Sequence, residues 1–240
     1  MKLILEDGGT YGANKFQRWL DSCWLDFCKQ VPNGATVEIN GDVFQGIHAH
    51  RDTALVTASY KDQLRIAKAV VKPLIARASR IYVVRGTDYH DGAVGANIED
   101  FAEAIGAEKN TDTGQYSSWE LYLRRDNLLF YFTHHISIAP VYPSTPMARL
   151  MREAKESFVD HGLPIPDVQV YSHTHQHRKF PDGDRWLFVT PAWQLANGYA
   201  HKVAPRRLPT IGGMIFETAG GLSFKAKLYK IPPPRIVVEK

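Results

Sequence analysis

The sequence holds 240 residues, enough for one large domain or two small ones with a substantial buried core. Its 44% hydrophobic and 22% charged residues exclude a chain that is disordered over most of its length, and no apolar run is long enough to span a bilayer. The formal net charge of +4 suits an anionic substrate without singling out nucleic acid.

In chain order, residues 3–5 (Leu-Ile-Leu) read as a very short strand broken by Asp7-Gly8-Gly9. Glu6 and Asp7 also deny the start a signal-peptide layout, so a cytoplasmic location is the default expectation. Over 14–31 the apolar residues Phe16, Trp19, Leu20, Cys23, Trp24, Phe27 and Val31 trace one helical face, with Asn14 as N-cap and Pro32-Asn33-Gly34 as the stop. Cys23 and Cys28 fall within that helix five positions apart, which argues against a disulfide and fits a reducing compartment.

Residues 36–39 read as a buried strand ending abruptly at Asn40-Gly41-Asp42. A helix is expected over 53–78, kinked or restarted at Pro73. Residues 81–84 form a strand ending at Arg85-Gly86-Thr87-Asp88, and 97–105 a short helix closed by Gly106. Residues 121–123 and 128–132 suggest a hairpin whose second arm runs into Thr133-His134-His135. A helix over 146–161 lies between Pro146 and Gly162, and a strand over 168–171 ends at Ser172-His173-Thr174-His175. Residues 186–190, 213–216 and 222–228 read as later strands. Early strands alternate with helices and later strands cluster. This order predicts an α/β fold, a four-layer α/β/β/α sandwich of mixed sheets with helices outside. Residues 1–231 are expected to form a single domain, and Pro232-Pro233-Pro234 begins a tail over 232–240 outside the core.

Four apolar strands thus end in residues capable of chemistry: Asp42; Asp88 with His90; His134 with His135; and His173 with His175. Ligands in α/β sheets bind beyond the carboxyl ends of strands, where residues distant in sequence meet. Histidine with carboxylate suits Mn, Fe or Zn, and a carboxylate can bridge two such ions. The metal site is therefore expected at the C-terminal ends of the strands.

Gly41-Asp42-Val43-Phe44-Gln45-Gly46 resembles the Gly-Asp-x-x-x-Gly motif of calcineurin-like metallophosphoesterases. Ser172-His173-Thr174-His175 resembles their Gly-His-x-His motif, and Thr133-His134 their isolated histidine after a strand. Arg85-Gly86-Thr87-Asp88-Tyr89-His90 looks like a diverged Gly-Asn-His-Asp/Glu motif, and the wording is most similar to bacteriophage-encoded members. The resemblance spans residues 41–175 and implies a two-metal phosphoric ester hydrolase of the phosphodiesterase or nuclease type. Asp42 would bridge two divalent ions (Mn, Fe or Zn). His134 and His173 would bind the second ion, with Asp88 in place of the family's asparagine, and His175 the first. His90 would be the catalytic histidine at the leaving oxygen, and the substrate a phosphate ester, possibly of a nucleotide or nucleic acid.

The family opens with Asp-x-His, where this chain has Asp7-Gly8-Gly9. Either Asp7 stands in for the aspartate, or the corresponding strand lies upstream and Asp7 belongs to a loop. The alternative function is accordingly a catalytically degenerate phosphate- or nucleic-acid-binding protein on the same fold. His48 and His50 read as loop residues near the mouth of the site, His177 as a loop histidine, His135 as a residue that supports a ligand from behind or is simply packed, and Asp91-Gly92 as a turn. Lys61, Arg65, Lys68 and Lys72 make one basic helix face, most simply a solvated one, and Lys202 with Arg206 and Arg207 a basic loop. The oligomeric state has no sequence signal.

Overall fold

A computed structural model of the chain describes residues 2–47, 55–136, 144–196 and 208–233. At the start, β1 (Lys2–Ile4) and β2 (Thr10–Gly12) pair antiparallel as a small separate hairpin. The short strand read at 3–5 is therefore an edge element, not part of a central sheet. Next comes α1 (Lys15–Gln30), closed at its N-terminus by a capping box in which Asn14 and Gln17 each bond the other's backbone N–H.

β3 (Ala35–Asn40), α2 (Tyr60–Ile75) and β4 (Ala78–Val84) form a parallel crossover unit. The helix is shorter than the sequence pattern predicts, because Ser59 caps it by accepting from the N–H of Asp62; residues 53 and 54 lie outside the described residues. Pro73 neither restarts nor splits it, since it sits in the final turn. Then follow α3 (Asp88–Asp91), a 3-10 turn (Ala93–Gly95) and α4 (Ala96–Ala104).

The second half is built on β5 (Glu120–Arg125), β6 (Leu128–Thr133), α5 (Ser144–Asp160), β7 (Val168–Tyr171), β8 (Arg178–Asp182) and β9 (Arg185–Val189). These strands make a five-stranded mixed sheet ordered β5-β6-β7-β9-β8, with β6, β7 and β9 parallel and both edges antiparallel. β8 has no apolar alternation and contains Pro181, which an edge strand tolerates. That composition is why sequence reading passed over it. Finally β10 (Ile211–Glu217) and β11 (Ser223–Tyr229) form an antiparallel ribbon.

Strand alternation assembles the layers. Phe130 and Phe132 of β6, Val168 and Val170 of β7, and Phe188 of β9 face inward against Val84, Met214, Phe216 and Phe224. Tyr131, Tyr171, Leu187 and Val189, on the opposite face, pack on Met147, Met151 and Phe158 of α5. On the other side of the molecule, Ala67 and Val71 of α2 and Phe101 of α4 cover Ile81 and Val83. Trp24, Phe27 and Cys28 of α1 cover Val37, Ile215 and Tyr229. The result is helix, sheet, sheet, helix: the expected α/β/β/α sandwich. The ends of β3, β4, β6 and β7 come together at one edge of it. There, Asn40 Nδ2 donates to the carbonyl of Thr133 (3.2 Å) and the N–H of Ser172 to that of His134 (3.0 Å).

Candidate metal centre

Two turns touch at that edge. A Cβ on Gly41 would lie 2.5 Å from Gly86 Cα and 2.6 Å from His134 Nδ1, and one on Gly86 would lie 2.2 Å from Asp42 N. Both positions therefore need glycine for the turns to approach. Between them lies the buried carboxylate of Asp91. It accepts the backbone N–H groups of Asp42 (2.9 Å), Val43 (3.0 Å) and Gly86 (2.7 Å). Burial first, then the negative Asp42 nearby, push the Asp91 carboxyl up to about 6, against the pull of the three N–H donors.

Asp42 itself has a left-handed backbone, φ 52°. Its Oδ1 accepts both the N–H of Thr87 (2.7 Å) and the Thr87 hydroxyl (2.9 Å). Its Oδ2 is left facing His134 Nε2 at 2.9 Å and His173 Nδ1 at 3.9 Å. Burial disfavours the carboxylate charge, but His134, His173 and the Thr87 N–H outweigh it and hold the carboxyl below its usual range.

His134, at the end of β6, is 2% exposed. Its Nδ1 lies 2.6 Å from the carbonyl oxygen of Asn40, which can only accept, so Nδ1 carries the proton. In the neutral imidazole, Nε2 then presents a lone pair to another lone pair on Asp42 Oδ2. Nε2 is buried and makes no hydrogen bond of acceptable geometry. An orphaned buried polar atom of this kind calls for a proton or a cation. Burial opposes the imidazolium, yet Asp42 beside it prevails and raises the His134 pKa. The proton-or-cation demand is thus written into both partners.

Asp42, His134 and His173 place one ligand atom each within 4.8 Å of one another. One carboxylate and two imidazoles fit a divalent ion of intermediate softness. A backbone carbonyl hydrogen-bonded to one ring nitrogen, as that of Asn40 is to His134, is the kind of support that orients an imidazole to offer its other nitrogen to a metal. Strain collects here as well: Asp42, His173 (φ 65°) and His175 (φ 55°) are three of the five non-glycine residues with positive φ among the described residues.

The other expected residues sit around this triad. His175 is partly buried, and burial lowers its pKa while Asp42, His173, His90 and His134 act on it electrostatically. Its carbonyl accepts the N–H of Thr210 (2.8 Å), which ties its turn to the approach to β10. His90 lies on α3 with Nδ1 3.1 Å from the Gln45 carbonyl oxygen. Asp88 is exposed, and its Oδ1 accepts the N–H of Val94 (3.1 Å); it is not in the triad.

Asp7 occupies the exposed β1–β2 turn, where its Oδ1 accepts from Gly9 N at 2.8 Å. His135 is exposed and meets the rings of His134 and His173 edge-on. His177 Nδ1 lies 3.0 Å from the Val189 carbonyl oxygen. On α2, Arg65 binds the buried Asp62 at 2.6 Å and Lys61 lies 3.9 Å from Glu6, so half of the basic face is engaged by acids. His48, His50, Lys202, Arg206 and Arg207 lie outside the described residues.

Sequence reading missed Thr87, Asn40 and Asp91. Asp91 was expected merely to make a turn, and it is fully buried instead. Two of its three donors lie 48 and 49 positions away, so no local pattern marks it.

No family profile and no curated protein matches the sequence. Among solved structures, the chain is similar to an archaeal phosphodiesterase, at 14% identity over 67% of this chain and 76% of that one, with a TM-score of 0.40. It is similar to wild-type Vps29 complexed with zinc from Entamoeba histolytica, at 12% identity over 80% and 97% of the two chains, TM-score 0.40. A predicted phosphoesterase from Streptococcus pneumoniae is 11% identical over 65% and 71%, TM-score 0.35. Likeness this distant says nothing of activity, which has to be read from the chain's own side chains.

Proposed function

We propose that this chain is a metal-dependent phosphoesterase of the calcineurin-like type, a phosphodiesterase acting on a nucleotide or nucleic acid. The observation that carries the reading is the buried, unpartnered Nε2 of His134 set 2.9 Å from the Asp42 carboxylate, with His173 beside them. The motif order around these residues supplies the family.

Asp42, His134 and His173 would hold a divalent ion, Mn, Fe or Zn, and His175 is the donor offered to a second ion with Asp42. When bound, such ions polarise a phosphoryl oxygen and acidify a water. The chain's own groups do the positioning. Asn40 keeps the proton on His134 Nδ1, so that Nε2 stays free to donate its lone pair. Thr87 occupies Oδ1 of Asp42, so that Oδ2 points at the imidazoles. The Gln45 carbonyl holds His90 at Nδ1, and His90 would deliver a proton to the departing ester oxygen.

The test is hydrolysis of a bis-aryl phosphodiester by purified protein with added Mn. Activity should appear, and Asp42→Asn should remove at least 99% of it; full activity in that variant would overturn the site. A second reading has its own support. The compact triad is a single three-donor group among the described residues, and where the family opens with Asp-x-His this chain has Asp7-Gly8-Gly9, in the exposed β1–β2 turn. On that reading the protein binds a phosphate-bearing partner through one ion and does not cleave it. About two equivalents of metal per chain with turnover favour the hydrolase; one equivalent without turnover favours the binding protein. No helix among the described residues is long and apolar enough to cross a membrane.

A further inference from the structure

Beside the triad, on the side of α5, lies a cavity of about 230 Å³ lined by His135, Ile136, Leu150 and His173. Its two walls differ in chemistry. Ile136, buried, and Leu150, half-buried on α5, bring no polar side-chain atom. The other two lining residues are His135 and His173, whose ring centroids lie 5.5 Å apart with planes at 65°. His173 belongs to both structures: it is a member of the triad and a wall of the cavity. Whatever fills the cavity therefore touches a residue that also faces Asp42.

We propose that this cavity is the subsite for the organic arm of the substrate and that it takes a flat aromatic group of one ring. This rests on the phosphoesterase reading for the position of the phosphoryl group, which would sit at the triad with its ester arm toward α5. Size supports the choice. An apolar cavity of about 150 Å³ accommodates benzene, whereas sites for drug-sized ligands begin near 300 Å³. At about 230 Å³ the cavity has room for one ring and its linking atom. Polarity supports it too. The Ile136 and Leu150 side chains have no hydrogen bond to give a phosphate or a sugar hydroxyl, so a polar group gains nothing against that wall. An aromatic ring loses nothing there and gains ring-to-ring contact with His135.

The subsite can be tested without turnover. Phenylphosphonate and methylphosphonate share a phosphoryl head and cannot be hydrolysed as esters; their Kd values for the Zn-loaded protein are measured by calorimetry. Phenylphosphonate should bind about 10-fold more tightly or better. Leu150→Trp, which fills the cavity, and Leu150→Gln, which keeps its volume and makes the wall polar, should each bring the ratio within about 2-fold while leaving the methylphosphonate Kd unchanged. Far-UV circular dichroism identifies a variant that fails to fold, and the other then decides. Equal affinities in the wild type, no binding of either ligand, or a ratio that survives the folded variant would overturn the proposal. Absence of hydrolysis with the ratio intact sinks the enzymatic reading alone; hydrolysis without the ratio sinks the subsite alone.

Discussion

The Asp91 carboxylate accepts the backbone N–H of Asp42 at 2.9 Å, and through that bond a fully buried acid sets the backbone of the residue that faces both imidazoles. The same carboxylate takes the N–H groups of Val43 and Gly86, so it ties the turn after β3 to the turn after β4. Removing it strands three donors. Asp91→Ala should cost about 3 kcal/mol or more in urea denaturation and weaken metal binding in the protein that remains folded. Asp91→Asn keeps one acceptor oxygen and turns an amide toward the other donors, so its loss should be intermediate. Wild-type stability in the alanine variant would remove Asp91 from any positioning role.

Gly86 is where the two turns come closest. Its added Cβ would lie 2.2 Å from Asp42 N and 2.7 Å from Asp91 Oδ2. None of these atoms is the free end of a flexible chain. Gly86→Ala should therefore destabilise the fold by about 1–3 kcal/mol and displace Asp42. The paired measurement is the thermal midpoint with and without Zn: the variant should lose most of the metal-induced rise seen in the wild type.

Thr87 and Asp88 make opposite predictions. Thr87 donates two bonds to Asp42 Oδ1, and Thr87→Val removes the hydroxyl one while keeping the shape and the N–H. It should cost about 1.5 kcal/mol and lower metal affinity. Asp88→Asn keeps an acceptor for Val94 N and should change stability by less than about 0.5 kcal/mol. Metal content by mass spectrometry under native conditions decides whether Asp88 ligates: asparagine is itself the family's ligand there, so the deciding variant is Asp88→Ala, and a fall in metal in that folded variant but not in Asp88→Asn would make Asp88 a ligand.

The cysteines are packing residues. Burial pushes the Cys28 thiol up to about 11, and it moves Cys23 in the same direction. At pH 8 the Cys28 thiolate is a fraction of about one in a thousand, and both residues are less than a tenth exposed. Iodoacetamide at pH 8 should leave the native protein unlabelled over minutes and add two carbamidomethyl groups in urea. Rapid labelling of the native chain would mean that α1 does not pack as described.

Local order was legible where local forces set it. The apolar spacing from Phe16 to Val31 and the capping residue Asn14 mark α1 within one stretch of sequence. Val168–Tyr171 is buried on both faces, with Gln169 as its one buried polar side chain, and its limits are those expected. The edge strand β8 escaped detection for the converse reason: it buries little, so its sequence need not alternate. β1 was visible as three apolar residues, but its partner β2 was not, because one hairpin of three pairs carries almost no compositional signature.

For the candidate site the division follows the reach of the interactions. By itself the sequence determined which residues have the right chemistry and where they leave their strands: Asp42 after β3, His134 after β6, His173 and His175 after β7. Only the tertiary structure decided which atoms face one another. The Asn40 carbonyl behind His134 is 94 positions away in sequence, and the Thr87 donors on Asp42 are 45 away. Bonds of that range depend on how two sheets stack, which follows from the whole core and not from any one segment. The strand ends announce a candidate metal site; the Asn40 carbonyl, the Thr87 hydroxyl and the buried Asp91 fix how its side chains face, because orientation is a property of neighbours that only folding brings together.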